Sequence, residues 1–140
     1  MKKFVFVALI CLCFGLNVFA QAKIKVLKYE VPRGSQAVFA VGLEGEFVVN
    51  VKIDKNGNVI SANSGNIRPL LKQVLEEAAN KWLFSPDKDS EERETRIFFE
   101  YKTKANSSKK YIGNSPKITT RFKKPLRLVI TAEIYRRSVY

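Results

Sequence analysis

Residues 81–86 read KWLFSP, and the eight that follow, DKDSEERE, are nearly all charged. Pro86 has no backbone N–H and biases Ser85 away from the α region, so this run is not a helix interior. It reads as the last turn of a helix whose bulkiest side chains, Trp82 and Phe84, plug a core before Pro86 frees the chain to turn back. Burying two aromatics of this size contributes several kcal/mol at ~25 cal/mol per Å² of apolar area. The rest of the chain must then supply that helix and a sheet for it to cover.

The helix lies just upstream. In SGNIRPLLKQVLEEAANKWLF, Leu71, Leu75, Ala78 and Trp82 recur at spacings of four, three and four, while Lys72, Gln73, Glu76, Glu77, Asn80 and Lys81 take the opposite face. Ser64 or Asn66 is the expected N-cap, and Pro69 is tolerated because it falls in the first turn. Before it, LEGEFVVNVKIDKNGNVISAN reads as a β-hairpin. Phe47, Val49, Val51 and Ile53 share one parity, Asn56-Gly57 supplies the positive φ angles of a tight turn, and Val59 and Ile60 begin the return strand.

After a charged loop over 87–94, TRIFFEYKT alternates Ile97, Phe99 and Tyr101 with Arg96, Phe98 and Glu100. ANSSKKYIGNSP, within 104–117, has the composition of a flexible loop. LRLVITAEIY then has strand composition, with Leu126, Leu128, Ile130, Ala132 and Ile134 on one parity. These segments predict an α+β fold: a β-β-α-β antiparallel sheet with one amphipathic helix packed on one face, plus an additional C-terminal strand. A strand that follows a flexible loop is expected to return antiparallel beside its predecessor. Placed so, it would cover the border of the strand 96–101. The corresponding organisation is a lead-in segment over 21–40, a domain over 41–103, the loop at 104–117 and a basic strand extension over 118–140.

The N-terminus carries Lys2 and Lys3 and then about 17 apolar residues that end with Val18 and Ala20 at the −3 and −1 positions of a signal-peptidase site. A signal peptide over 1–20, cleaved between Ala20 and Gln21, is the expectation, with periplasmic or secreted localisation. An uncleaved membrane anchor is the alternative. Both cysteines lie in this segment and there is no histidine, so the mature chain forms no disulfides and lacks the usual soft metal ligands. Charge is unevenly distributed. Residues 21–101 carry 12 Lys or Arg against 12 Asp or Glu, whereas residues 102–140 carry 11 basic residues against Glu133 alone.

The combination of segments resembles the C-terminal domain of TonB-type energy transducers. In that family a hairpin of the form G-x-V-x-V-x-x-x-ID-x-x-G-x-V leads into a helix ending in A-x-x-x-W-x-F-x-P. Gly45, Val49, Ile53, Asp54, Gly57, Val59, Ala78, Trp82, Phe84 and Pro86 match these positions, within residues 41–101. The likeness is to a short secreted form, since nothing proline-rich stands between Ala20 and the hairpin. It implies a non-catalytic protein-interaction module of the bacterial envelope, accessory to transport across the outer membrane. Such a module grips an extended receptor peptide by adding it as a strand to a sheet edge. Carried over, the edge is Arg96, Ile97, Phe98, Phe99, Glu100 and Tyr101.

The excess of positive charge supports another reading, a binder of anionic lipid or polymer through residues 102–140. The bland account of the same residues is a strand edge studded with Lys and Arg against aggregation. Nucleic acid is not an expected partner of an exported chain. Catalysis is not expected either: without His or Cys the common bases and the thiol nucleophile are missing, no G-x-S-x-G or S-x-x-K spacing occurs, and no cofactor is implied. Asp87–Glu92 lacks the glycine and the terminal Glu spacing of a calcium loop, and reads as an ordinary acidic turn.

Overall fold

The computed structural model describes residues 24–106 and 116–135. The chain runs β1 (Val26–Lys28), α1 (Ser35–Ala40), β2 (Gly45–Asp54), β3 (Val59–Asn63), α2 (Pro69–Asn80), β4 (Leu83–Phe84), β5 (Glu92–Asn106), β6 (Lys117–Lys123) and β7 (Arg127–Tyr135). Five strands form one sheet in the order β3-β2-β5-β7-β6, and β1 pairs with β4 in a separate two-stranded ribbon. The expected class, α+β, holds. The signal segment, with its junction at Ala20 and Gln21, lies outside the described residues, as do 107–115 of the expected loop.

The hairpin of β2 and β3 forms because its apolar residues keep period two. Val49, Val51 and Ile53 are buried, and the polar residues between them face outward. Its turn is wider than a two-residue loop. The Gly57 amide donates to the Asp54 carbonyl and the Asp54 amide to the Asn58 carbonyl, while the Asp54 carboxylate accepts from the amides of Asn56 and Asn58. Only Gly57 takes a positive φ, 91°; Asn56 does not.

The helix α2 buries Leu71, Leu75, Ala78 and Ala79 against the sheet. Its start departs from expectation: the N-cap is Arg68, with no side-chain cap, rather than Ser64 or Asn66. The physical reason is Pro69, which holds the residue before it out of the α region. Arg68 is extended at φ −55° and ψ 136°, so the helix starts at the proline itself. Ser64 instead donates its amide and hydroxyl to the Glu76 carboxylate, at 2.9 and 2.8 Å.

The helix also ends earlier than expected. The amides of Lys81 and Trp82 bond back to the carbonyls of Ala78 and Ala79, and from Leu83 the chain is extended. KWLFSP is thus a helix exit that becomes β4, not a last helical turn. β4 finds a partner in the lead-in segment, with Val26 opposite Phe84 and Lys28 opposite Leu83. Trp82 and Phe84 are nonetheless fully buried. The lead-in also supplies a second helix, α1, whose Val38 enters the core.

The C-terminal part differs most. The sheet is mixed rather than antiparallel, because β7 runs parallel to β5, from Phe98 opposite Arg127 to Asn106 opposite Tyr135. The expected single strand is a hairpin: β6 and β7 pair antiparallel around the turn 124–126. β6 does return antiparallel to β5, but one place further out, with β7 folded in between. Composition explains the order. In β7, Leu128, Val129, Ile130 and Ala132 are all buried, as an interior strand requires; Lys117, Thr119, Arg121 and Lys123 of β6 suit an exposed edge.

Candidate interaction surface

One face of the five-stranded sheet is closed by the helices and the lead-in; among the described residues no helix packs on the other, the open face. On the closed face Trp82 lies at the centre of a group of aromatic rings. Its centroid is 5.9 Å from Phe99, 6.1 Å from Phe122, 6.0 Å from Tyr29 and 6.2 Å from Phe84. Its indole N–H donates to the Glu30 carbonyl at 3.1 Å. Tyr29 in turn stacks on Phe122 of β6 at 5.0 Å. The lead-in therefore straps β4 to the far edge of the sheet.

The motif residues are brought together here. The Phe84 amide donates to the Gly57 carbonyl at 2.8 Å, Asn58 bridges to Leu83, and the Asp87 amide reaches the Lys55 carbonyl at 2.9 Å. Gly57 of the hairpin tip and Phe84 of the helix exit thus form one joint. Val49, Ile53, Ala78, Trp82 and Phe84 are buried in the core, Val59 packs against it, and Gly45 begins β2 at φ 123°. Pro86 is exposed at the head of the loop that follows. These positions are architectural: apart from Val59, which begins the edge strand β3, none of them lies on a border of the five-stranded sheet.

Of the strand 96–101, the part from Phe98 on is not an edge. The strand pairs with β2 along its whole length and, from Phe98 on, with β7 on the other side. Ile97, Phe99 and Tyr101 point into the core. The Tyr101 hydroxyl sits 3.3 Å from Ser35 Oγ, and burial pushes its pKa up against the lowering effect of that hydrogen bond. Arg96, Phe98 and Glu100 face the open side.

There the Arg127 guanidinium stands 5.3 Å above the Phe98 ring, bonds Glu46 and lies 3.6 Å from Glu100. Glu100 also pairs with Lys102 at 2.8 Å. The Lys102 hydrogen bond outweighs partial burial and, with the charges of Lys102, Arg127 and Lys123, holds this carboxyl below its ordinary pKa. Further along the same face Asn50, Lys52, Ser61, Asn63, Glu94 and Arg96 line a shallow groove.

Among the described residues the sheet ends at β3 and β6. Sequence reasoning missed β6. Its signal was present, since Ile118, Thr120 and Phe122 alternate with Lys117, Thr119, Arg121 and Lys123, but only two of its seven residues are apolar. Among the described residues no group of three or more His, Cys, Asp or Glu side chains could hold a metal ion, and no helix is long and apolar enough to cross a membrane. The acidic loop is explained by its own turn, in which Asp87 accepts from the Asp89 amide and the Ser90 hydroxyl.

No family profile and no curated protein matches the chain. Among solved structures it is similar to the solution NMR structure of the Pseudomonas aeruginosa TonB C-terminal domain. That match is 22% identical with a TM-score of 0.45, and covers 59% of this chain and 88% of that chain.

Proposed function

We propose that this protein is a non-catalytic interaction module of the cell envelope, exported to the periplasm. It takes an extended segment of a protein partner as an added strand, in a role accessory to transport across the outer membrane. The observation that carries the reading is the border of the sheet. From Phe98 on, the side of β5 away from β2 is filled by the chain's own β7, and the sheet then stops at β6 with no further partner among the described residues. Unpaired N–H and C=O groups along such a border are what a partner strand uses. The motif likeness supports the same reading, because Gly57, Trp82 and Phe84 hold the sheet rigid behind that border. The resemblance by itself points to 96–101; in this chain the strand-adding site moves outward to Lys117–Lys123.

Site-specific cross-linking tests it. A photoreactive residue at position 119 of the mature chain, exposed on β6, is expected to capture an envelope protein that the same residue at position 88, in the acidic loop, does not. Equal capture from both positions, or none from 119, overturns the reading.

A second reading rests on the cations of the C-terminal hairpin and of β5. Lys102, Arg121, Lys123 and Arg127 share the open face and could hold an anionic lipid or polymer. Arg127 and Lys102 are engaged with Glu46 and Glu100, which favours the strand-adding account.

A further inference from the structure

The outer border of β6 has a chemistry of its own, set by the alternation of its side chains. Lys117, Arg121 and Lys123 share one parity and stand opposite Glu133, Val129 and Arg127, so they project on the open face. Ile118 and Phe122 share the other parity, stand opposite Ala132 and Leu128, and lie half-buried on the closed face. A strand laid beside β6 would meet cations at one set of alternate positions and an apolar row at the other, because cross-strand neighbours lie on the same face.

We propose that the border of β6 docks an extended segment in which acidic residues alternate with apolar ones. The acids stand beside Lys117, Arg121 and Lys123, and the apolar side chains beside Ile118 and Phe122. This rests on the strand-adding reading above and names the chemistry of its partner. Among the described residues none of these three cations lies within ion-pair distance of an acid, unlike Lys102 and Arg127 nearby. Lys117 faces Glu133 across the ladder and Lys123 acts on Glu100 from further away, while Arg121 faces Val129 and is exposed to an incoming carboxylate. The apolar row is preorganised: Phe122 is held by the stacked Tyr29 ring and by Trp82.

The same row of cations argues against a second copy of this chain. In a two-fold antiparallel pairing centred on Thr120, Lys117 would stand opposite Lys123 at both ends, and like charges directly opposite are destabilising. An acidic partner removes that conflict.

The test uses the mature chain, residues 21–140, and three seven-residue peptides matched to the length of β6. One alternates Glu with Val, one Lys with Val, and one Glu with Ser. Binding is followed by NMR amide shifts and hydrogen exchange at 117–123. The Glu/Val peptide is expected to slow exchange along β6 and to bind about tenfold or more tighter than either of the others. Replacing Arg121→Glu and Lys123→Glu, both exposed, is expected to transfer the preference to the Lys/Val peptide. If Glu/Val and Lys/Val bind equally while the β6 amides are slowed, the acidic rule is wrong and strand addition stands. If no peptide slows them, both fall. Slowing by phosphatidylglycerol vesicles but not by peptide would assign the face to anionic lipid. Slowing that grows with protein concentration alone would assign it to self-pairing.

Discussion

Gly57 lies so close under Phe84 that a methyl group on its α-carbon would stand 1.9 Å from the Phe84 carbonyl oxygen and 2.8 Å from the carbonyl carbon. Two segments 27 positions apart therefore share one backbone-to-backbone contact, sealed by the hydrogen bond from the Phe84 amide to the Gly57 carbonyl. This explains why the hairpin glycine and W-x-F-x-P carry more meaning together than apart.

Gly57→Ala should be severely destabilising for two independent reasons. The residue sits at φ 91°, which L side chains rarely adopt, and the methyl group would have to push β4 off the hairpin. We expect a loss of about 3 kcal/mol or more in urea unfolding, or failure to fold. A loss below about 1 kcal/mol would mean that the two segments are not in contact in solution.

The lead-in makes a prediction of a different kind, because Trp82 is the chain's single tryptophan and reports on its own surroundings. Tyr29 covers both Trp82 and Phe122 while remaining 40% exposed. Tyr29→Ala should let water reach the indole. We expect a red shift of the native fluorescence and about 1–2 kcal/mol less stability, from two lost aromatic pairs. Unchanged emission would show that the strap is undocked.

How much of this could be read in advance depended on whether a segment's neighbours were local. Val49, Val51 and Ile53, and then Leu71, Leu75 and Ala78, declare a strand and a helix by period alone, and both are present. The burial of Trp82 and Phe84 followed from size and from Pro86. What could not be read was set by distant pairing. Leu83–Phe84 becomes a strand only because Val26–Lys28, some 57 positions earlier, lies beside it. The order β5-β7-β6 arises because the more apolar arm of a hairpin takes the interior place, a comparison that requires β6 to be recognised first. Thr119 and Thr120, side by side at its centre, blur its period of two. The strand at 96–101 is legible from its own period, but its place inside the sheet, between β2 and β7, is not.

Glu76 gives a pH prediction. Partial burial pulls its pKa up, but the two hydrogen bonds from Ser64 and the ion pair with Lys72 at 3.1 Å outweigh that and leave it below the ordinary value. A carboxyl depressed in the folded state contributes stability that is present above its unfolded pKa, about 4.3, and is lost as pH falls through the folded value. Glu76→Gln should therefore cost about 1 kcal/mol at pH 7, and the gap to the parent should close in acid, once the carboxyl is protonated in the folded state as well. Urea midpoints followed from pH 7 downward check it; a gap that persists in acid would assign the effect to packing instead of charge.

The C-terminal hairpin is part of the core and not an appendage, and a truncation after residue 103 tests this. β7 supplies Leu128, Ile130 and Ala132, each fully buried, together with the turn residue Leu126, and it closes one side of β5. Removing these side chains withdraws on the order of 5 kcal/mol of apolar burial, comparable with the whole stability of a small domain. It also leaves β5 as an unpaired edge around Ile97, Phe98 and Phe99, the kind of border that aggregates. The truncated chain should lose cooperative unfolding, bind a hydrophobic dye and associate at micromolar concentration. Arg121→Glu in the full chain should do none of these, since its side chain is exposed on β6. If the truncated chain instead stays monomeric and unfolds cooperatively near the parent's midpoint, the core closes without β7. The strand 98–103 would then be an open border, and the strand-adding site would move back to it.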